Sequence, residues 1–185
     1  MKKFLPFIIF LVVFAAVLAG QVGFKMFSET STSQKYKSEY LEFESLFLNA
    51  NYKDLSGNEI SMTKINVPVV IYNFWASWCI PCLSEMPSMV ELKKQFPGEK
   101  IEFIMINTDE DDQKLSIAKT MKKLKITNEF VIIPDTESRI VNQFKITAIP
   151  VTIVFHRGKV VHFSNGPMDF LAEEFTGKMK EWTKN

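Results

Sequence analysis

The sequence predicts an α/β domain, a central mixed sheet flanked by helices, preceded by one transmembrane helix. Three observations carry this. Apolar runs of strand length alternate with stretches of helical apolar spacing from residue 67 to the C-terminus; the N-terminal segment is apolar on every face; and the only two cysteines, Cys79 and Cys82, follow the first of those strands. A chain of 185 residues has the usual size of one domain with a proper core. Its 22 basic against 21 acidic residues leave a net charge of +1, and no basic stripe interleaves with aromatics, so nothing points to nucleic acid.

After Lys2 and Lys3 the chain is apolar from Phe4 to Gly20 and mostly so to Phe24. A spanning helix needs about 20 apolar residues and the core of a cleaved signal only roughly 7 to 15, so 1–27 reads as an uncleaved anchor. Val17-Leu18-Ala19 is an acceptable cleavage site, which keeps a removed signal and secretion as the alternative. The two lysines favour the cytoplasmic side, placing the remainder outside. Gln21 stands where a lipoprotein would carry cysteine. Residues 28–35 are a polar tether without apolar period, and the domain occupies 36–185.

Within the domain, 36–48 suits a helix and 49–61 holds the turn signal Asp54-Leu-Ser-Gly-Asn58 between two short runs, an N-terminal β-hairpin. A strand buried on both faces spans 67–75 and a helix 80–96; 101–107 is a second buried strand. Acids at 109–112 suit the start of a helix that ends near Leu124 among Lys122, Lys123 and Lys125. A strand at 130–133, a short helix from Asp135 to Phe144, and strands at 151–155 and 160–163 about the turn Arg157-Gly-Lys159 follow. An amphipathic helix over 169–182, with Leu171, Phe175, Met179 and Trp182 on one stripe, closes the chain.

Cys79 ends the loop after the first strand and Ile80 begins the helix, so its sulfur lies where free backbone N–H groups favour an anion. Such placement and the Cys-X-X-Cys spacing lower a thiol pKa from about 8.5 into the range of roughly 3.5 to 7.5. Cys79 is then the attacking thiolate and Cys82, one turn on and deeper, the resolving thiol. Pro81 in the first turn loses no helical bond and stiffens the ring. A structural disulfide is the bland alternative, but so small a loop removes little chain entropy and would be a poor staple. Zinc usually takes four protein ligands, and only His156 and His162 could supplement the cysteines, from far along the chain, so no metal or other cofactor is expected. Glu85, three residues after Cys82, shares its helix face and has two readings: a proton carrier for Cys82, or a solvated Glu paired with a Lys. Trp75, Met86 and Met89 suit packing, and Pro87 should kink the helix.

The stretch Phe74–Pro87, FWASWCIPCLSEMP, together with Ala148-Ile-Pro150, resembles the thioredoxin superfamily, and within it the TlpA/ResA-type, membrane-tethered, extracytoplasmic branch. The likeness spans about residues 47–182 and implies a thioredoxin-like fold. It also implies a cis Ile149–Pro150 bond facing the cysteines, a contact surface of Trp78, Ile80, Pro81, Ile149 and Pro150, and a functional, buried Glu85. Thioredoxin places an Asp where this chain has Asn73, which leaves Glu85 as the nearest acid/base group. The implied activity is thiol-disulfide exchange on the periplasmic side of a bacterial cytoplasmic membrane. Its clients would be disulfide-bearing proteins, apocytochrome c before haem attachment among them, with electrons from a membrane donor. Ile80 offers the thiolate no donor, which favours a reductant over an oxidant. A general oxidase or isomerase, and a non-catalytic client-binding module using the groove beside Pro150, stay open.

Overall fold

The computed structural model describes Phe14, Val17, Leu18, Gly20 and Gln21 and residues 36–184 apart from 99 and 111. The chain divides into two compact units, Met1–Leu41 and Glu42–Asn185. In the first, residues 36–41 are helical. The expected anchor over 1–27 and tether over 28–35 lie, but for those five residues, outside the described ones. Among the described residues no helix is long and apolar enough to cross a membrane.

The second unit opens with residues 42–48 in a helix, α1. A short antiparallel pair follows, β1 (Asn51–Lys53) and β2 (Glu59–Ser61). Its turn is set by Asp54, whose Oδ1 accepts from the N–H of Ser56 and of Asn58, and by Gly57 at φ +86°. Then come β3 (Val69–Trp75), α2 (Ile80–Gln95), β4 (Ile101–Asn107), α3 (Gln113–Leu124), β5 (Val131–Pro134), α4 (Arg139–Gln143), β6 (Val151–His156), β7 (Lys159–Asn165) and α5 (Glu173–Trp182). The main sheet has the order β5-β4-β3-β6-β7. β3, β4 and β5 are parallel, and β6 and β7 run against them, so the sheet is mixed, with β3 at its centre.

Every residue of β3 is buried, as expected of a strand covered on both faces. Its alternation divides the core in two. Val69, Ile71 and Trp75 join Met86, Met89 and Leu92 of α2, Ile117 and Met121 of α3, and Phe175 and Met179 of α5. Tyr72 and Phe74 point to an aromatic layer instead. There Phe144 lies 5.7 Å from Tyr72 and 5.8 Å from Phe74, Phe47 of α1 stacks on Phe155 at 4.3 Å, and Phe43 lies 5.3 Å from Phe144.

Two helices begin later than their sequence pattern. α4 starts at Arg139 rather than at Asp135, because buried Asp135 stands ahead of it and accepts from the N–H of Ile140 (3.0 Å) and of Val141 (2.9 Å). α5 starts at Glu173 rather than at Asp169, whose Oδ1 accepts from the Leu171 N–H in a turn. That turn inserts Phe170 into the core and leaves Leu171 39% exposed, off the stripe assigned to it. The parallel strands end on one side of the sheet, the usual place for a site in an α/β domain.

Candidate active site

β3 delivers Trp75 to this edge, and the chain turns through Ala76, Ser77 and Trp78 into Cys79, the N-cap of α2. Cys79 and Cys82 are joined in a disulfide, S–S 1.98 Å. The Cys82 N–H donates to Cys79 Sγ at 3.3 Å, and the Leu83 N–H to the Cys79 carbonyl at 3.1 Å. Pro81 occupies the first turn, where its missing N–H removes no helical bond. Cys82 is fully buried and Cys79 is 5% exposed, while Trp78 and Ile80 on either side of it are 69% and 79% exposed. Both cysteines are therefore buried, Cys79 the less completely of the two and flanked by two exposed apolar side chains.

Pro150 approaches the same edge from β6. Val151 pairs with Phe74, so the residue before it falls beside the end of β3 where the cysteine loop departs. The Ile149–Pro150 peptide is cis. The Pro150 carbonyl accepts from the Gly166 N–H at 2.9 Å, and Ile149 packs against the core cluster that contains both cysteines.

Glu85 is 4% exposed, and among the described residues no cation pairs with it, so the solvated ion-pair reading fails. Its Oε1 accepts from the Met168 N–H, while Oε2 has no hydrogen-bond partner among the described residues. Burial pushes its pKa above the ordinary carboxylate value, and the Met168 N–H offsets part of that shift. Asn73, also buried, donates Nδ2–H to Thr152 Oγ1 at 3.1 Å. A neutral amide thus stands where an aspartate was the alternative. Met168, Thr152 and Asp109 were not singled out from sequence. Their contacts join elements remote in the chain, and only the run of acids around Asp109 gave any signal.

His156 pairs with Val69, at the end of β3 away from Cys79. His162 lies against Phe175, and burial, then Lys178, holds its pKa below the ordinary imidazole value. Among the described residues no three His, Cys, Asp or Glu side chains are grouped to hold a metal.

A cysteine pair opening a helix, after the central strand of a mixed sheet and beside a cis-proline, defines a thioredoxin-like thiol-disulfide redox protein. The chain belongs to the AhpC/TSA family, whose profile matches residues 44–163. It is 28% identical over 160 residues to the thiol-disulfide oxidoreductase ResA of Bacillus thuringiensis subsp. konkukian (strain 97-27), covering 86% of this chain and 88% of that one. With ResA of Bacillus subtilis (strain 168) it shares 26% over 153 residues, 82% and 81% of the two chains. The crystal structure of StoA from Bacillus subtilis has the same fold, with a TM-score of 0.56 at 24% identity over 75% of this chain and 99% of that one. The protein is a thiol-disulfide oxidoreductase of the ResA/thioredoxin type.

Proposed function

We propose that this chain is an extracytoplasmic protein-disulfide reductase. Residues 1–27 hold it at the bacterial cytoplasmic membrane as a single-pass protein with its C-terminal domain on the periplasmic side. Its clients carry disulfides, apocytochrome c before haem attachment being the leading candidate, and a membrane donor restores the dithiol. The observation that carries the assignment of roles is the asymmetry of the pair: Cys79 caps the helix N-terminus at 5% exposure between the exposed Trp78 and Ile80, while Cys82 is fully buried on the face shared with Glu85.

The Cys79 thiolate attacks one sulfur of the client disulfide. A mixed disulfide forms and one client thiolate leaves, taking a proton from solvent. Cys82 then gives its proton to the Glu85 carboxylate and attacks Cys79 Sγ. The bond to the client breaks, the second client thiolate leaves, and the Cys79–Cys82 disulfide closes. The client has gained two electrons, which the donor later returns. Trp78, Ile80, Pro81, Ile149 and Pro150 form the surface against which the client chain lies. Ile80 contributes neither charge nor hydrogen bond to the Cys79 thiolate, so the reduced state has no added stabilisation from that position, which favours a low potential.

The deciding experiment is the midpoint potential of the full chain in detergent, titrated against dithiothreitol or glutathione. A value near about −270 mV supports a reductant, whereas one near about −120 mV makes the protein a disulfide donor and removes the cytochrome assignment. Protease protection of the domain in spheroplasts would overturn the periplasmic location.

A further inference from the structure

The loop that carries the first cysteine is held at two points by the segment after β4. The Thr108 N–H donates to the Trp75 carbonyl at 2.8 Å, and the Ser77 N–H donates to Asp109 Oδ1 at 2.9 Å. Asp109 is 5% exposed. Its Oδ2 accepts from Asn107 Nδ2 at 3.1 Å and from Ser116 Oγ at 2.8 Å. Its own N–H donates to Asn107 Oδ1 at 3.2 Å, and its carbonyl accepts from Gln113 Nε2. A single buried carboxylate therefore joins the cysteine loop, the end of β4 and the first turns of α3. Trp78, between Ser77 and Cys79, is 69% exposed and gives the loop little packing of its own.

We infer that Asp109 is a positioning residue for thiol-disulfide exchange: by fixing Ser77, it keeps Cys79 at the cap of α2, with its sulfur on the Cys82 N–H. The inference rests on Cys79 being the attacking sulfur. Hydrogen bonds to a carboxylate are stiffer than neutral ones, and this one is fully bonded, as a buried charge must be. If the tie is lost, Cys79 can drift from the cap, and the helix N–H groups no longer stabilise its thiolate. The carboxylate charge acts in the opposite sense, since an anion near a thiolate disfavours it. Asp109→Asn removes the charge but keeps Oδ1 for Ser77. Asp109→Ala removes both, together with the acceptor of Asn107 Nδ2 and Ser116 Oγ, so Ser77→Pro and Ser116→Ala separate the tie from those bonds.

The test is alkylation of the reduced full-length chain by iodoacetamide, at a pH below the midpoint of the parent's alkylation profile, in a Cys82→Ser background. That background leaves Cys79 as the thiol that reacts and retains the backbone N–H at position 82. Asp109→Ala should react roughly fivefold more slowly than Asp109→Asn, the change in thiolate fraction for a pKa shift below about one unit. Equal rates for the two would overturn the inference. Should Asp109→Ala fail to fold, Ser77→Pro removes the donor while leaving Asp109 charged and bonded to Asn107 and Ser116. It should likewise slow alkylation, and a rate equal to that of its parent would overturn the inference. Ser116→Ala, which keeps the Ser77 tie, should lower thermal stability and leave the rate unchanged; a slowed rate counts against the Ser77 tie as the cause. The nucleophile assignment is tested separately. If Cys79→Ser with Cys82 intact is still labelled rapidly, that assignment fails, whatever the Asp109 variants do.

Discussion

The backbone N–H of Cys82 points at Cys79 Sγ, 3.3 Å away, so the first turn of α2 solvates the outer sulfur with one of its own unpaired donors. Ile80, between the two cysteines, is 79% exposed and adds nothing to that solvation. Ile80→His should add a donor there. A charge-assisted hydrogen bond of about 1.5–3 kcal/mol to the thiolate corresponds to a midpoint roughly 30–60 mV higher. The same glutathione titration reads it, and an unchanged or lower potential would show that position 80 does not face the sulfur.

Glu85→Gln separates proton transfer from binding. The mixed disulfide should still form, but its resolution by Cys82 should slow by roughly 10²-fold or more, the usual worth of a positioned base. Trapping with a model peptide disulfide and mass spectrometry would detect the accumulated adduct. Resolution at the normal rate would remove Glu85 from the mechanism.

The same substitution has a stability signature. Burial raises the folded-state pKa of Glu85 above its unfolded value. The associated stability is fully present below about pH 4.3 and is lost as pH rises through the raised pKa. Relative to Glu85→Gln, the wild-type Tm should therefore fall as pH rises from about 4.3 through the raised pKa. Parallel melting curves across that window test the sign, and a constant difference would mean that the carboxyl is solvated.

Trp78, beside Cys79 in the chain, is 69% exposed. Trp78→Ala should leave Tm within error and raise KM for a protein client by about tenfold or more, as loss of an aromatic anchor does. Reduction by dithiothreitol, which needs no such surface, should be unaffected. Equal losses with both reagents would point instead to a displaced Cys79.

Phe47 is 5% exposed and stacks on Phe155 with Tyr72 at 5.6 Å. Phe47→Ala should cost about 3–5 kcal/mol in denaturant titrations while leaving the midpoint potential in place. A shifted potential would mean that the aromatic layer and the redox face are coupled through the sheet.

Most of the fold was legible because its strands are apolar runs bounded by turn residues, as at 101–107, where the expected and observed limits coincide. The late starts of α4 and α5 were not, because Asp135 and Asp169 look like first-turn acids until their carboxylates are seen to satisfy N–H groups further on. In the site, the cysteine spacing announced itself. Glu85 did not by its spacing, since i, i+3 is the same for a buried carboxyl as for a solvated one; the resemblance implied the buried reading, and the covering loop at Met168 supplies its physical reason. Asp109 and Asp112 belong to one acidic run. Asp112 caps α3 through the Leu115 N–H, as the pattern implies, whereas Asp109 turns inward to Ser77, a partner 32 positions earlier in the chain.

The two cores on either side of β3 carry a consequence for how such a chain can change. Residues that alternate along one strand answer to different demands: Ile71 and Trp75 to the side where electrons are exchanged, Tyr72 and Phe74 to the side that only has to stay filled. Directed evolution for heat tolerance has a natural target in the Phe43, Phe47, Phe144 and Phe155 layer, because volume can be traded among neighbouring rings there without passing through the helix that carries the sulfurs.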